Sequence, residues 1–175
     1  KGCFIIEPKE LEDHRGYFFE SFNQQRFNEL IGKNLDFVQE NESFSSKGVL
    51  RGLHFQTGEY AQAKLVRVVK GMVLDVVVDL RKDSPTFSKH FSMELSEDNR
   101  KQLFIPRGFA HGFIVLSETA IFSYKCDNFY NSASEQGLRY DDPSLGIDWR
   151  LPTKEFIVSE KDLVLPTLST LTLSL

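Results

Sequence analysis

The stretch Arg51-Gly52-Leu53-His54-Phe55-Gln56, followed by Gln62-Ala63-Lys64-Leu65-Val66-Arg67-Val68, sets cations and an imidazole around a segment rich in β-branched residues. Fixed positive charge there suits an anionic ligand, and imidazole takes and returns protons near neutrality at low cost. Further along, Pro106-Arg107-Gly108-Phe109-Ala110-His111 brings a second imidazole, Phe122-Ser123-Tyr124 a phenol, and Ser159-Glu160-Lys161-Asp162 a carboxylate. These are the parts of a proton-transfer site. His54 is the candidate base, Asp162 the group that would orient its ring, and Tyr124 the candidate acid. Lys64, with His111, is placed to stabilise an enolate oxygen.

Each residue also has a plainer reading. A lone histidine beside a strand is usually structural. What favours His54 is its company: Arg51 and Lys64 supply charge that lowers a nearby imidazole's pKa and keeps it neutral, provided a carboxylate orients the ring. Asp162 reads equally as a helix-cap or turn aspartate, and spacing alone favours that reading. A tyrosine on an inward strand face is more often core with a satisfied hydroxyl, and Lys64 also reads as a solvated strand residue. Metal-binding jelly rolls use two or three histidines and a glutamate. Here Phe55 and Gln56 follow His54 in place of that clustering, and His14 and His90 lie in polar settings that predict exposure.

The elements that must position these groups are mostly strands. Leu65 to Val69, Val73 to Leu80, Phe91 to Leu95, Leu103 to Ile105, Gly112 to Leu116 and Ala120 to Tyr124 are apolar, β-branched or alternating runs bounded by Gly, Pro, Ser, Asp or Asn. In Leu74-Asp75-Val76-Val77-Val78-Asp79-Leu80-Arg81 one face is apolar and the other mostly polar, which predicts a strand packed on one side. Lys70-Gly71 predicts a tight hairpin turn. Helix signals are few: Asn23 can cap a helix over Gln24 to Ile31 that Gly32 ends, and a second turn is expected from Ser96, with Glu97 and Asp98 in its first turn. The fold expected is all-β, a double-sheet jelly roll with a few short helices. Residues 1–175 read as one domain, with Leu163 to Leu175 an added strand or a mobile tail.

Composition narrows the function further. The net charge is −4 and Lys and Arg are scattered, so neither a nucleic-acid groove nor a membrane-surface helix is suggested. No apolar run approaches the roughly 18 residues of a membrane helix. Cys3 and Cys126 lie far apart, outside any CxxC spacing, which fits a reduced, cytoplasmic protein. Sixteen Phe are many for 175 residues, and aromatic walls such as Tyr17-Phe18-Phe19 serve either a core or a ligand.

From Glu7-Pro8 to about Pro166 the chain resembles the dTDP-4-dehydrorhamnose 3,5-epimerase family. The matching runs are Asp13-His14-Arg15-Gly16-Tyr17-Phe18-Phe19-Glu20-Ser21, Phe37-Val38-Gln39-Glu40-Asn41, Val49 to Gln56, Lys64 to Arg67, Asp79-Leu80-Arg81, Pro106 to Phe113 and Ser159 to Asp162. The resemblance implies a cupin-type jelly roll, acting as a homodimer without metal or other cofactor on a dTDP-4-keto-6-deoxy sugar. It implies that His54 is the base oriented by Asp162, that Tyr124 is the opposing acid, that Lys64 faces the C4 carbonyl oxygen, and that His111 lies in the sugar pocket. Arg15, Glu20, Gln39, Glu40, Asn41, Arg51, Glu135 and Lys161 match nucleotide-sugar contacts, with Arg15 and Arg51 suited to a pyrophosphate. Tyr130 fits an aromatic lining the nucleotide region. Other readings weighed are an epimerase of C5 or C3 alone, a related ketoisomerase, a catalytically silent sugar-nucleotide binder and a metal-dependent cupin oxygenase.

Overall fold

In the computed structural model, which describes residues 2–172, thirteen strands and two helices follow one another. They are β1 (Phe4–Ile6), β2 (Glu10–Asp13), β3 (Gly16–Phe19), α1 (Gln24–Ile31), β4 (Gln39–Ser46), β5 (Val49–Gln56), β6 (Lys64–Lys70), β7 (Met72–Asp79), β8 (His90–Ser96), β9 (Gln102–Ile105), β10 (Phe109–Val115), β11 (Thr119–Cys126), β12 (Glu135–Gly137), β13 (Ile157–Val158) and α2 (Glu160–Leu163). A five-stranded sheet in the order β1-β9-β6-β11-β4 faces a second sheet in the order β12-β5-β10-β7-β8, to which β13 adds in parallel beside β5. This is the antiparallel two-sheet jelly roll that the strand pattern predicts.

Helix α1 forms where its caps dictate. The Asn23 side chain accepts the Arg26 N–H at 3.1 Å, and Gly32, at φ 66°, donates its N–H to the Asn28 carbonyl. The helix buries Phe27 against Phe22, Phe37 and Phe104, an aromatic cluster on the outer side of the five-stranded sheet. From Ser96, by contrast, no helix forms. Ser96 and Asn99 bond each other reciprocally, side chain to backbone, and close a tight turn instead, because the chain must re-enter a sheet at β9.

Two expectations are corrected by the topology. Gly71 does turn the chain, at φ 80°, but β6 and β7 do not form a hairpin: β6 pairs with β9 and β11, β7 with β8 and β10. The turn is a corner where the chain passes from one sheet to the other, and a Cβ on Gly71 would lie 2.0 Å from the Thr119 carbonyl oxygen. Strand β7 is also buried on both faces. Leu74, Val76 and Val78 join a cluster beneath the second sheet with Leu138, Leu145 and Trp149, while Val73 and Val77 join the cluster between the sheets. Asp75 and Asp79, on the expected polar face, are 0% and 1% exposed. The polar face exists, but it points into the molecule.

The segment after α2 is neither an added strand nor a loose tail as far as it is described. It turns at Thr167–Thr170 and lays Leu168 and Leu171 on the cluster beneath the second sheet. Residues 173–175 lie outside the described part.

Candidate active site

A cavity of about 470 Å³ opens between the two sheets. Its second-sheet wall is made by β5 and β10, and the irregularity of that pair builds the site. A strictly alternating strand would send Arg51 and His54, three apart, to opposite faces. The β5–β10 register shifts between the His54–His111 and Arg51–Phe113 pairs, so both side chains line the cavity while Leu53 and Phe55 go to the cluster beneath. Glycines make this possible. Gly52 sits at φ 123°, and a Cβ there would lie 2.6 Å from the Gly112 Cα and 2.8 Å from the His111 carbonyl oxygen.

His54 Nε2 lies 2.7 Å from Asp162 Oδ1, and Asp162 Oδ2 accepts the Gly52 N–H at 3.2 Å. Burial alone would raise the Asp162 carboxyl, but its bonds to His54, Gly52 and Ser159 outweigh this and hold it below the ordinary carboxylate range. An ionised acceptor fixes the His54 tautomer with the proton on Nε2 and the lone pair on Nδ1. A base oriented this way needs no further activation to take a proton.

The opposite wall comes from the five-stranded sheet. Inward alternation along β11 brings Phe122 and Tyr124 to the cavity, and β6 brings Lys64. Lys64 Nζ lies 5.8 Å from the centre of the Tyr124 ring. Burial lowers the Lys64 pKa and, together with Cys126, raises that of Tyr124, while Asn41 and Arg51 pull the phenol partly back. Among the described residues no hydrogen bond or ion pair occupies the Lys64 ammonium, so its donors are available to a ligand oxygen.

A second imidazole–carboxylate pair lies deeper. His111 Nε2 is 2.8 Å from Asp75 Oδ2, with the side chains 8% and 0% exposed. Asp75 Oδ1 has no hydrogen-bond partner. Phe113 and Phe122 stack across the gap between the sheets, ring centres 4.2 Å apart, and His111 stacks on Phe122 at 6.0 Å. Together they floor the cavity. Asp75 was not among the residues singled out from sequence, although an acid within the Val-rich run of β7 is the signal that could have found it.

The other predicted contacts divide. Lys161 lines the cavity and pairs with Glu135, whose Oε2 also accepts the Tyr130 hydroxyl at 2.9 Å. Gln39 donates to Asn41 at 3.1 Å and accepts the Tyr130 N–H at 3.0 Å, so these five residues form a connected rim. Glu40 alternates to the outer face of β4, where it binds Lys125 at 2.7 Å and Ser123 at 3.3 Å. Arg15 and Glu20 are not brought to the cavity. Arg15 lies in the turn of the separate β2–β3 hairpin and Glu20 just after it, and the hairpin packs on the β8–β9 connection through Glu10–Arg100 and the stacking of Arg100 over Tyr17 at 3.9 Å. His14 and His90 are exposed, and no three of His, Cys, Asp and Glu converge as a metal set among the described residues.

A jelly roll with an acid–base cavity between its sheets belongs to the cupin-type epimerases, and solved structures of that class superpose closely. The dTDP-6-deoxy-D-glucose-3,5-epimerase of Legionella pneumophila, in complex with dTDP-4-keto-L-rhamnose, matches with TM-score 0.94 at 48% identity, over 98% of this chain and 90% of that one. A 3′-monoepimerase from Streptomyces bikiniensis in complex with dTDP-quinovose matches with TM-score 0.90 at 33% identity, over 97% and 85%. The family model for dTDP-4-dehydrorhamnose 3,5-epimerase matches residues 1–170. The enzyme of that name from Shigella flexneri is 54% identical over 159 residues, 91% of this chain and 87% of that protein. The chain belongs to the dTDP-4-dehydrorhamnose 3,5-epimerase family and is an isomerase.

Proposed function

We propose that the protein converts dTDP-4-dehydro-6-deoxy-D-glucose to dTDP-4-dehydro-L-rhamnose, inverting C3 and C5 of the sugar. The observation that carries this is the placement of His54 and of Tyr124 with Lys64 on opposite walls of one cavity. Protons at C3 and C5 are acidic because each lies beside the C4 ketone. His54, through the Nδ1 lone pair, removes one, and the electrons move onto the C4 oxygen, where the Lys64 ammonium balances the charge. Tyr124 gives its hydroxyl proton to the other face of the same carbon, which inverts it. The imidazolium then loses its proton to solvent and the phenolate regains one, so each inversion is balanced and draws a solvent proton. No redox step occurs.

Arg51, Lys161, Asn41 and Gln39 would carry the nucleotide diphosphate, with Tyr130 and Glu135 at the rim. Arg15 and Glu20 cannot join them within one chain. They and the expected homodimer are reconciled if the hairpin of a second copy reaches the cavity, and mixed dimers of Arg15→Ala and His54→Ala chains test this: recovery of up to one active site per dimer is expected. The reading also places the protein in the cytoplasm, where nucleotide sugars are made.

The deciding measurement is turnover of dTDP-4-keto-6-deoxyglucose in heavy water, coupled to a reductase. Deuterium at both C3 and C5 is expected. Label at one carbon alone would assign a single-centre epimerase instead.

A further inference from the structure

Asp162 must stay within reach of both His54 and Gly52, yet it sits on a helix of four residues, too short to hold itself in place. Before it, β13 pairs with β5 at Val49 and Leu50, and Ser159 Oγ accepts the Asp162 N–H at 3.2 Å. After it, the chain is fastened at successive points. Leu165 rests on Gly137, where a Cβ would lie 2.6 and 2.7 Å from its two methyl carbons, and Gly137 is the cross-strand partner of His54. The Arg139 N–H donates to the Pro166 carbonyl at 2.9 Å, and the Leu168 N–H donates to Asp142 Oδ2 at 2.6 Å. Asp142 is 5% exposed, and its Oδ1 accepts both the Ser144 amide at 2.8 Å and the Ser144 hydroxyl at 2.7 Å.

We infer that residues 164–172 form a strap that keeps Asp162 seated on His54, and that buried Asp142, remote from the substrate, is the positioning residue that anchors it. This rests on the proposed role of His54 as the base. Three donors converge on Asp142, which only a carboxylate can accept together; an amide in its place would turn an N–H₂ toward at least one of them. The strap's near end lies against the strand opposite His54, so slack there displaces α2 and its carboxylate. A misplacement of about 1 Å can cost on the order of 10²-fold in rate.

The test is Asp142→Asn in the full chain beside Asp162→Asn, with kcat, KM, the pH profile of kcat/KM and the downfield proton resonance of the His54 Nε2–H as readouts. In Asp142→Asn, kcat is expected to fall about 10- to 10²-fold with KM little changed. The imidazole resonance should broaden, and the acid limb of the profile should move to lower pH in the same sense as in Asp162→Asn, because an imidazolium without its carboxylate is less favoured. A lowered melting temperature with rate, limb and resonance unmoved would overturn the strap's role. Should Asp142→Asn not fold, Leu165→Ala, at a half-buried position, loosens the same contact and is read the same way. A collapsed Asp162→Asn beside an unchanged Asp142→Asn sinks the strap alone, whereas an unchanged Asp162→Asn sinks the base assignment and the strap with it.

Discussion

The two imidazole–carboxylate pairs have nearly the same bond, 2.7 Å for His54–Asp162 and 2.8 Å for His111–Asp75, and opposite surroundings. Their histidines are cross-strand partners on β5 and β10. His54 is 27% exposed at the cavity mouth, and its carboxylate arrives from 108 residues away on a short helix. His111 is 8% exposed, its carboxylate is fixed two positions along the adjoining strand β7, and one oxygen of that carboxylate is orphaned. A pair that must exchange protons with solvent needs the first environment. The second holds an imidazole rigidly in place as part of the cavity floor, and any loss there is felt first by the fold.

The sharpest way to break this contrast is His54→Ala. Removing a general base typically costs about 10²–10⁴ in rate, and exchange at C3 and C5 should disappear with turnover; an equal loss of exchange in His111→Asn would erase the distinction. Lys64→Met, on the facing wall, is expected to cost about 10²–10³ in kcat by stripping the enolate of its charge partner. Tyr124→Phe should slow net inversion more than wash-in of solvent deuterium, since the phenol acts after the carbon has lost its proton. Equal slowing of both would remove Tyr124 as the acid.

Asp75→Ala separates the pairs through stability. It leaves the buried His111 Nε2–H without an acceptor, a loss of about 1–3 kcal/mol in denaturant unfolding. The smallest effect is on pH dependence. The folded-state pKa of Asp162 lies below its ordinary 3.8, so its stabilising contribution is complete above that value and is lost as pH falls through the folded one. Asp162→Asn should therefore flatten the decline of the melting temperature with acid below pH 3.8, and an unaltered decline would show that pairing does not stabilise this carboxylate in the folded protein.

Much of this was legible in the chain. The six strands read from apolar patterning all exist, because most of their buried residues enter the apolar clusters between the sheets and beneath the second sheet and so keep a regular period. Strand β4 was not read, since its inward residues are Gln39, Asn41, Ser43 and Ser45, which face the site or its rim. A strand whose inward residues are all polar carries no apolar stripe. The polar face of β7 was read correctly and assigned to solvent, because one strand's pattern cannot tell outside from a cavity that other strands enclose.

Residue types and their order set the chemistry available: an imidazole, a phenol, an ammonium and carboxylates in ordered motifs, on strands whose alternation and turn residues require an antiparallel sandwich. Tertiary structure alone decided which carboxylate serves which imidazole, that Arg51 and His54 share a face, that Glu40 turns away, and that Arg15 and Glu20 stand apart. Those facts depend on sheet pairing, register and the placement of a short terminal helix. Each is set by contacts between residues tens of positions apart, and such contacts leave no local period to read.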